Sequence, residues 1–208
     1  MSGYEALMRL QEGNRRFVAS LADTAPAVSQ TRRLALAEGQ QPFAIVLGCS
    51  DSRVPAELVL GQGFGDLFVI RVAGNIVAPS QVGSVEFAAA RFGTRLVVVL
   101  GHTECGAITA TIEELRQPAL HQSAGLRAIV DRIRPAVEPL FDTPLREQPE
   151  ALLVHAVRAN IRAASDHLRH GSAILERLVE RDGLLIVGAE YCLRTGVVDF
   201  FDGPPGAA

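Results

Sequence analysis

Two short stretches of the sequence carry side chains that could bind one metal ion together. Residues 43–53 read FAIVLGCSDSR and residues 96–107 read LVVVLGHTECGA, so each is an apolar run that ends in glycine and is followed by polar residues. The first stretch supplies Cys49, and the second supplies His102 and Cys105. Zinc prefers cysteine and histidine ligands, and a catalytic zinc site keeps its fourth position for water. The two stretches therefore predict a three-ligand zinc centre.

The elements that must position these ligands are two strands. Both apolar runs have the length and composition of strands that are buried on both faces of a parallel sheet. In open α/β sheets, ligands bind beyond the carboxyl ends of the strands, where the strand order reverses. The polar side chains directly follow the two runs. The fold class and the ligand chemistry therefore point to the same edge of the sheet.

Asp51 and Arg53 alternate with Cys49, so all three side chains can point the same way if the extended geometry continues. A guanidinium that holds a carboxylate by a forked hydrogen bond would orient it beside a metal-bound water. A zinc ion with two thiolates has no net charge and should acidify its bound water less than a zinc ion held by three imidazoles, and the guanidinium cation would offset part of that loss. A plain salt bridge before Pro55 is the alternative explanation of this pair.

Two other interpretations explain less of the pattern. Cys49 and Cys105 could be ordinary buried thiols, since free cysteine is among the most buried residue types, but both follow a predicted strand in the same way. Cys105 could be a nucleophile with His102 as its base, as in cysteine hydrolases. That arrangement leaves Cys49, Asp51 and Arg53 without a role.

The composition is that of an ordinary globular protein. With 208 residues, of which 48% are hydrophobic and 21% charged, the chain can form one domain with a full core. A net charge of −3 and scattered basic residues give no reason to expect nucleic acid or a membrane as partner. The N-terminus does not resemble a signal peptide. Three cysteines argue against a disulfide framework, so we expect a cytoplasmic location, where thiols stay reduced.

Periodicity and helix-breaking residues predict an α/β fold in a single domain, with a helical arm over 1–40, a core over 43–201 and a loose tail over 202–208. A turn at Thr195-Gly196 makes the last strand an antiparallel edge strand. The predicted strands are 43–48, 67–72, 95–100, 184–189 and 197–201. The predicted helices are 3–21 in one or two segments, 31–38, a short one at Pro55, 80–92, one from Cys105 to Arg116, one around 126–133 that Pro135 interrupts, 150–169 and 172–181. Four prolines within 134–149 predict an irregular loop.

The first helix has a predicted capping box at Ser2 and Glu5 and a weak point at Gly13-Asn14. The side chains expected on its apolar side are Tyr4, Leu7, Met8, Phe17, Val18 and Leu21. The remaining histidines and the third cysteine lack partners at ligand spacing. We expect solvated positions for His121, His155, His167 and His170, and a packing role for Cys192.

The motifs CSDSR (49–53) and HTEC (102–105) resemble those of the β-class carbonic anhydrases. The similarity covers nearly the whole chain and includes EGNRRF (12–17), SVEFAAARFG (84–93) and the IVGAEYCLRTGVVDFF ending. The resemblance implies reversible hydration of carbon dioxide, a mostly parallel sheet of order 2-1-3-4 with an antiparallel fifth strand, and homodimers or dimers of dimers with the active-site cleft at the interface. It implies Zn²⁺ bound by Cys49, His102 and Cys105, with Asp51 and Arg53 as the catalytic dyad.

The resemblance also implies a substrate pocket. In the plant-type branch of the family, a glutamine nine residues before the first zinc cysteine, within L-A-x-G-Q, donates to the substrate, and Leu36-Ala37-Glu38-Gly39-Gln40 matches this pattern. The apolar pocket residues correspond to Phe68, to Phe87 in place of the usual tyrosine, and to Ala73 in place of the usual valine. The implied mechanism is attack of zinc hydroxide, aimed by Asp51, on carbon dioxide held by these residues, followed by exchange of bicarbonate for water and loss of a proton.

In one branch of the family, bicarbonate binds beside the metal, and the dyad aspartate then leaves its arginine to become the fourth zinc ligand. Gly48 and Arg71 match that pocket, but Val46 stands where the branch has a tryptophan N–H donor. We therefore expect Asp51 to remain paired with Arg53 and to bind the metal only if the site closes.

Two functions remain alternatives to carbon dioxide hydration. The same zinc chemistry can act on carbonyl sulfide or carbon disulfide, and some relatives of this fold do so. A non-enzymatic zinc-binding subunit is the other, but a closed structural site would need neither the Asp51–Arg53 pair nor Gln40.

Overall fold

The computed structural model describes residues 1–19, 36–117 and 123–204. A five-stranded sheet lies at its centre, and its strands are β1 (Ala44–Gly48), β2 (Leu67–Arg71), β3 (Leu96–His102), β4 (Leu185–Tyr191) and β5 (Val198–Asp202). Their order in the sheet is β2-β1-β3-β4-β5. The first four strands are parallel and β5 is antiparallel to β4, which confirms the predicted fold class and strand order.

Helices cover both faces of the sheet, so every residue of β1 and β3 is buried. Side chains alternate between two hydrophobic cores: Ile45 and Val97 belong to one core, and Val46 and Val98 belong to the other. The helices are α1 (Gly3–Ala19), α2 (Ala56–Val59), α3 (Pro79–Arg91), α4 (Gly106–Arg116), α5 (Ala124–Val137), α6 (Pro149–His170) and α7 (Ala173–Arg181). No helix within the described ranges is long and apolar enough to cross a membrane.

The central strands bring the two predicted ligand stretches together. Gly48 at the end of β1 is in register with Leu100 of β3, so the residues that follow both strands lie at one edge of the sheet. β3 is longer than predicted, because its ladder with β4 continues until His102 pairs with Tyr191. His102 is therefore the last residue of a strand, and the predicted end of that strand at residue 100 is wrong.

The prediction that Pro135 interrupts its helix is also wrong. Pro135 lies in the last turn of α5, where it removes one backbone hydrogen bond. Ile133 and Val137 on either side are fully buried, and their packing holds the helical path. The proline-rich stretch that follows is not a wholly irregular loop, because 3₁₀ turns form at Glu138–Asp142 and Pro144–Glu147.

The first helix is continuous through Gly13 and Asn14, because tertiary contacts hold both residues. A Cβ at Gly13 would lie 1.9 Å from the Leu60 carbonyl oxygen, so only glycine permits this approach of the helix. The predicted apolar side was partly wrong: Met8 is 68% exposed and Tyr4 is also exposed, whereas Ala6, Leu7 and Leu10 are buried.

The predicted capping box of α1 is confirmed. The Ser2 backbone N–H donates to Glu5 Oε2 over 2.7 Å, and the Glu5 N–H donates to Ser2 Oγ over 3.2 Å. Of the predicted helix 31–38, the described part is a 3₁₀ turn at Leu36–Glu38, and residues 31–35 lie outside the described residues, as does Leu21.

Candidate metal centre

Cys49, His102 and Cys105 converge on one buried point. Their ligand atoms all lie within 4.8 Å of one another, and all three side chains are buried. Cys49 directly follows β1, His102 ends β3, and Cys105 is the N-cap residue of α4. The convergence predicted from the spacing of the two stretches is present in the structure.

A tight turn carries the chain from His102 to Cys105. Glu104 has a left-handed backbone with φ of 56°, which reverses the chain within a few residues. Cys105 is then extended, and its carbonyl accepts hydrogen bonds from the backbone N–H groups of Ile108 and Thr109 over 3.1 and 3.0 Å. This turn is why two ligands only three residues apart reach the same point.

His102 has an unused ring nitrogen. Its Nδ1 lies 2.8 Å from the Thr103 carbonyl oxygen, which fixes the proton on Nδ1. Its Nε2 is buried and has no hydrogen-bond partner among the residues that the structure describes, although buried polar atoms nearly always have one. A lone pair held in this way beside two thiols is the arrangement that a metal ion requires. The residues present therefore fit a metal ion.

A hydrogen bond joins the two thiols. The Cys105 thiol donates to Cys49, and this hydrogen bond lowers the pKa of Cys49 to about 4. The same hydrogen bond, together with burial, raises the pKa of Cys105 well above its usual range. Burial opposes the positive charge on His102, but the Cys49 thiolate and the Thr103 carbonyl outweigh burial and raise the His102 pKa. Such a donor set ionises fully only around a cation.

Asp51 and Arg53 form the expected forked pair. Arg53 Nε donates to Asp51 Oδ1 over 2.9 Å, and Arg53 Nη2 donates to Asp51 Oδ2 over 2.7 Å. These bonds hold the pKa of Asp51 well below its usual range. Asp51 Oδ2 also lies 3.8 Å from His102 Nε2, so the carboxylate stands beside the cluster. Arg53 additionally donates to the Glu104 carbonyl over 3.2 Å, which ties the two ligand stretches together.

Arg71, considered at the sequence level as a neighbour of the metal, fixes the backbone around Cys49. Its Nε donates to the Cys49 carbonyl over 3.0 Å, and its Nη2 donates to the Asp51 carbonyl over 2.6 Å. Val46 is fully buried in β1.

The residues expected to contact the substrate lie in three places. Phe68 and Phe87 are neighbours with ring centroids 6.1 Å apart, and Phe92, which the sequence analysis did not single out, packs against both. Ala73 is half-buried in a 3₁₀ turn, Ala73–Asn75. Gln40 is exposed and lines a cavity of about 360 Å³ together with Leu36–Gly39 and Gly65, none of which is a ligand of the cluster.

Sequence reasoning missed the role of the turn that contains Ala73. The Gly74 N–H donates to Cys49 Sγ over 3.3 Å, and Gly74 and Asn75 both have positive φ, 69° and 43°. The Gly-Asn pair was the available signal, since these residue types favour left-handed backbone.

Cys192 and the three other described histidines are separate from the cluster. His155, His167 and His170 are exposed, as expected, and His121 lies outside the described residues. Cys192 is a half-buried free thiol near the end of β4.

Comparisons with a family model, with curated proteins and with solved structures all identify the same family. The carbonic anhydrase family model matches residues 44–198. Carbonic anhydrase 2 of Mycobacterium tuberculosis is 38% identical over 192 residues, which are 90% of this chain and 87% of the relative. The carbonic anhydrase of Pseudomonas aeruginosa is 36% identical over 87% of this chain and 82% of its own. The crystal structure of the β-carbonic anhydrase CafA of Aspergillus fumigatus matches with a TM-score of 0.73 at 26% identity, over 85% of this chain and 81% of that one. With the buried Cys-His-Cys cluster at the carboxyl edge of a sheet of order 2-1-3-4-5, these matches show that the chain belongs to the β-class carbonic anhydrases.

Proposed function

We propose that this protein catalyses the reversible hydration of carbon dioxide to bicarbonate and a proton, with zinc as its metal. The observation that carries the proposal is the unpartnered, buried Nε2 of His102, which faces two thiols beside the forked Asp51–Arg53 pair. The family membership of the chain supports the same reaction.

The cluster would hold the ion through Cys49 Sγ, Cys105 Sγ and His102 Nε2. When bound, zinc supplies a Lewis acid that lowers the pKa of water, so that a nucleophile is available near neutral pH. The cluster offers three ligand atoms, which is the number that the protein supplies in catalytic zinc sites, where the fourth position is kept for water.

Asp51 would orient the attacking water rather than store its proton. Because Arg53 holds the pKa of Asp51 well below its usual range, the carboxylate stays ionised at neutral pH and accepts a hydrogen bond without becoming protonated. The fork from Arg53 fixes the direction of that acceptor. An Asp51 carboxylate held by Arg53 supports an open site, in which Asp51 is not a metal ligand.

Carbon dioxide is a small apolar molecule and needs an apolar surface. Phe68 and Phe87 supply aromatic surface, and Ala73 lies in the turn that donates to Cys49. We propose these three residues and the Gln40 amide as the substrate-binding groups, the glutamine as hydrogen-bond donor to substrate oxygen.

We also propose a homodimer or a dimer of dimers in the cytoplasm. Phe87 is 53% exposed although it belongs to an aromatic cluster, and a partner subunit would cover it. A ligand set with two thiols favours a reducing compartment. Light scattering should give at least twice the chain mass, and a fully active single chain would contradict the dimer.

The function is tested by stopped-flow hydration of carbon dioxide, run beside carbonyl sulfide hydrolysis on protein of measured zinc content. We expect one zinc per chain and rapid carbon dioxide hydration. Stoichiometric zinc without turnover would instead indicate a non-enzymatic subunit. Hydrolysis of carbonyl sulfide with no carbon dioxide hydration would identify the sulfur-directed alternative.

A further inference from the structure

A buried asparagine lies in the middle of the long helix α6. Asn160 is 3% exposed, and its Nδ2 donates to the Gly74 carbonyl oxygen over 2.8 Å, although the two residues are 86 positions apart. Asparagine is not favoured inside helices, and a buried amide is costly unless it is hydrogen bonded. The side chain therefore has a specific partner in a position where an apolar residue would be the simpler choice.

The partner of Asn160 is a turn that needs support. Gly74 and Asn75 follow one another with positive φ, and for Asn75, which is not a glycine, this backbone conformation costs free energy that its surroundings must offset. A Cβ at Gly74 would lie 2.8 Å from Ile133 Cδ1 and 3.0 Å from Ala107 Cβ, so the turn is also packed closely between α4 and α5. This turn directs the Gly74 N–H toward Cys49 Sγ, to which it donates over 3.3 Å.

We propose that Asn160 is a positioning residue of the metal centre, which holds the Gly74 carbonyl and thereby fixes the Gly74 N–H on the Cys49 sulfur. The inference rests on the proposed function, because it requires Cys49 to bind the metal. A hydrogen bond to a ligating atom orients it and tunes its donor strength, and such outer partners affect metal affinity. The effect reaches the ion through Gly74 and Cys49.

A matched control separates this role from a general contribution to stability. Asn14 is also buried, 5% exposed, and its Nδ2 donates to two backbone carbonyls, those of Val59 and Gly196 over 2.8 and 2.9 Å. Those contacts join α1 to the core that does not contain Cys49 or Cys105. Asn14→Ala and Asn160→Ala therefore remove the same chemical group from two regions, only one of which touches the ligand set.

The experiment measures the zinc Kd of metal-free protein by competition with a chromophoric chelator, and the thiolate-to-metal charge-transfer band after cobalt substitution. We expect Asn160→Ala to weaken zinc binding by about 10-fold, at the lower end of outer-partner effects. The cobalt band should shift to lower energy, because the sulfur loses a hydrogen bond. Asn14→Ala should lower the Tm while leaving the zinc Kd and the cobalt band unchanged.

An unchanged Kd and cobalt band in Asn160→Ala, or equal changes in both variants, would overturn the positioning role. If Asn160→Ala does not fold, Asn160→Asp keeps the shape of the side chain, replaces the donor with an acceptor, and should weaken zinc binding at least as much. A wild-type protein that binds no zinc overturns the proposed function itself, whereas tight wild-type binding with an unaffected variant overturns only this inference.

Discussion

Two buried polar regions of the molecule differ in how far the chain satisfies them. At the junction of α1 with the rest of the protein, Asn14 uses both of its polar atoms: Nδ2 donates to two carbonyls, and Oδ1 accepts from the Val198 N–H over 2.9 Å. At the metal centre, His102 Nε2 has no hydrogen-bond partner in the part of the chain that the structure describes. At the junction, the hydrogen bonds of Asn14 are all made within the chain, so they contribute to stability. At the metal centre, the described chain supplies no partner for His102 Nε2, and a bound ion would fill that role.

The largest expected effect is loss of the metal. His102→Ala or Cys49→Ser removes one of three ligands from a site with none to spare, so both zinc and carbon dioxide hydration should be lost. Asn14→Ala, at the satisfied junction, should retain one zinc per chain. Metal analysis and stopped-flow rates check this contrast, and stoichiometric zinc in both ligand variants would contradict the assignment of the site.

A larger side chain at position 13, in the junction between α1 and the rest of the protein, should lower the free energy of unfolding. Gly13→Ala would place a Cβ 1.9 Å from the Leu60 carbonyl oxygen, and overpacking of this kind costs about 2–3 kcal/mol. Gly83→Ala is the matched control, because Gly83 lies in α3 and no described atom comes within 4 Å of an added Cβ there. It should stabilise the protein by about 0.5–1 kcal/mol, since glycine inside a helix is unfavourable. Denaturant unfolding measures the stability of both variants. A Gly13→Ala protein as stable as the wild type would show that α1 is not packed tightly against Leu60.

The forked pair should matter for turnover and not for the presence of the metal. Arg53→Lys keeps the positive charge but cannot hold both Asp51 oxygens, so the direction of the acceptor is lost. We expect zinc to remain and kcat to fall by about 10–100-fold. Wild-type kcat in this variant would reduce the pair to a salt bridge in the loop.

The smallest effect is the proton exchange on metal binding. At pH 7 the Cys49 thiol, with its pKa lowered to about 4, is already ionised, whereas Cys105 and a fraction of His102 hold protons because their pKa values are raised. Zinc must displace those protons, so zinc affinity should rise with pH around neutrality. Calorimetry in buffers of different ionisation enthalpy should give between one and two protons released per zinc. A pH-independent affinity would show that the thiols are already ionised without the metal.

Sequence reasoning went furthest at the carboxyl edge of the sheet. Cys49, His102 and Cys105 were predicted to meet because each closely follows a buried strand, and in a parallel sheet the ends of neighbouring strands lie side by side. The Asp51–Arg53 fork was predictable for the same local reason, since the two residues are only two positions apart. Local spacing is sufficient where the chemistry lies next to the strand that positions it.

By itself, then, the sequence determined the strands, their order by resemblance, and the convergence of the ligand set. The tertiary structure decided the rest. Gly13-Asn14 is a contact rather than a break, because Leu60 and Gly196 are brought there from distant parts of the chain. Pro135 stays inside its helix because the flanking side chains are buried. The link from Asn160 through Gly74 to Cys49 joins three segments, and the energy of such contacts depends on which residues the fold places together, not on any pattern along the chain.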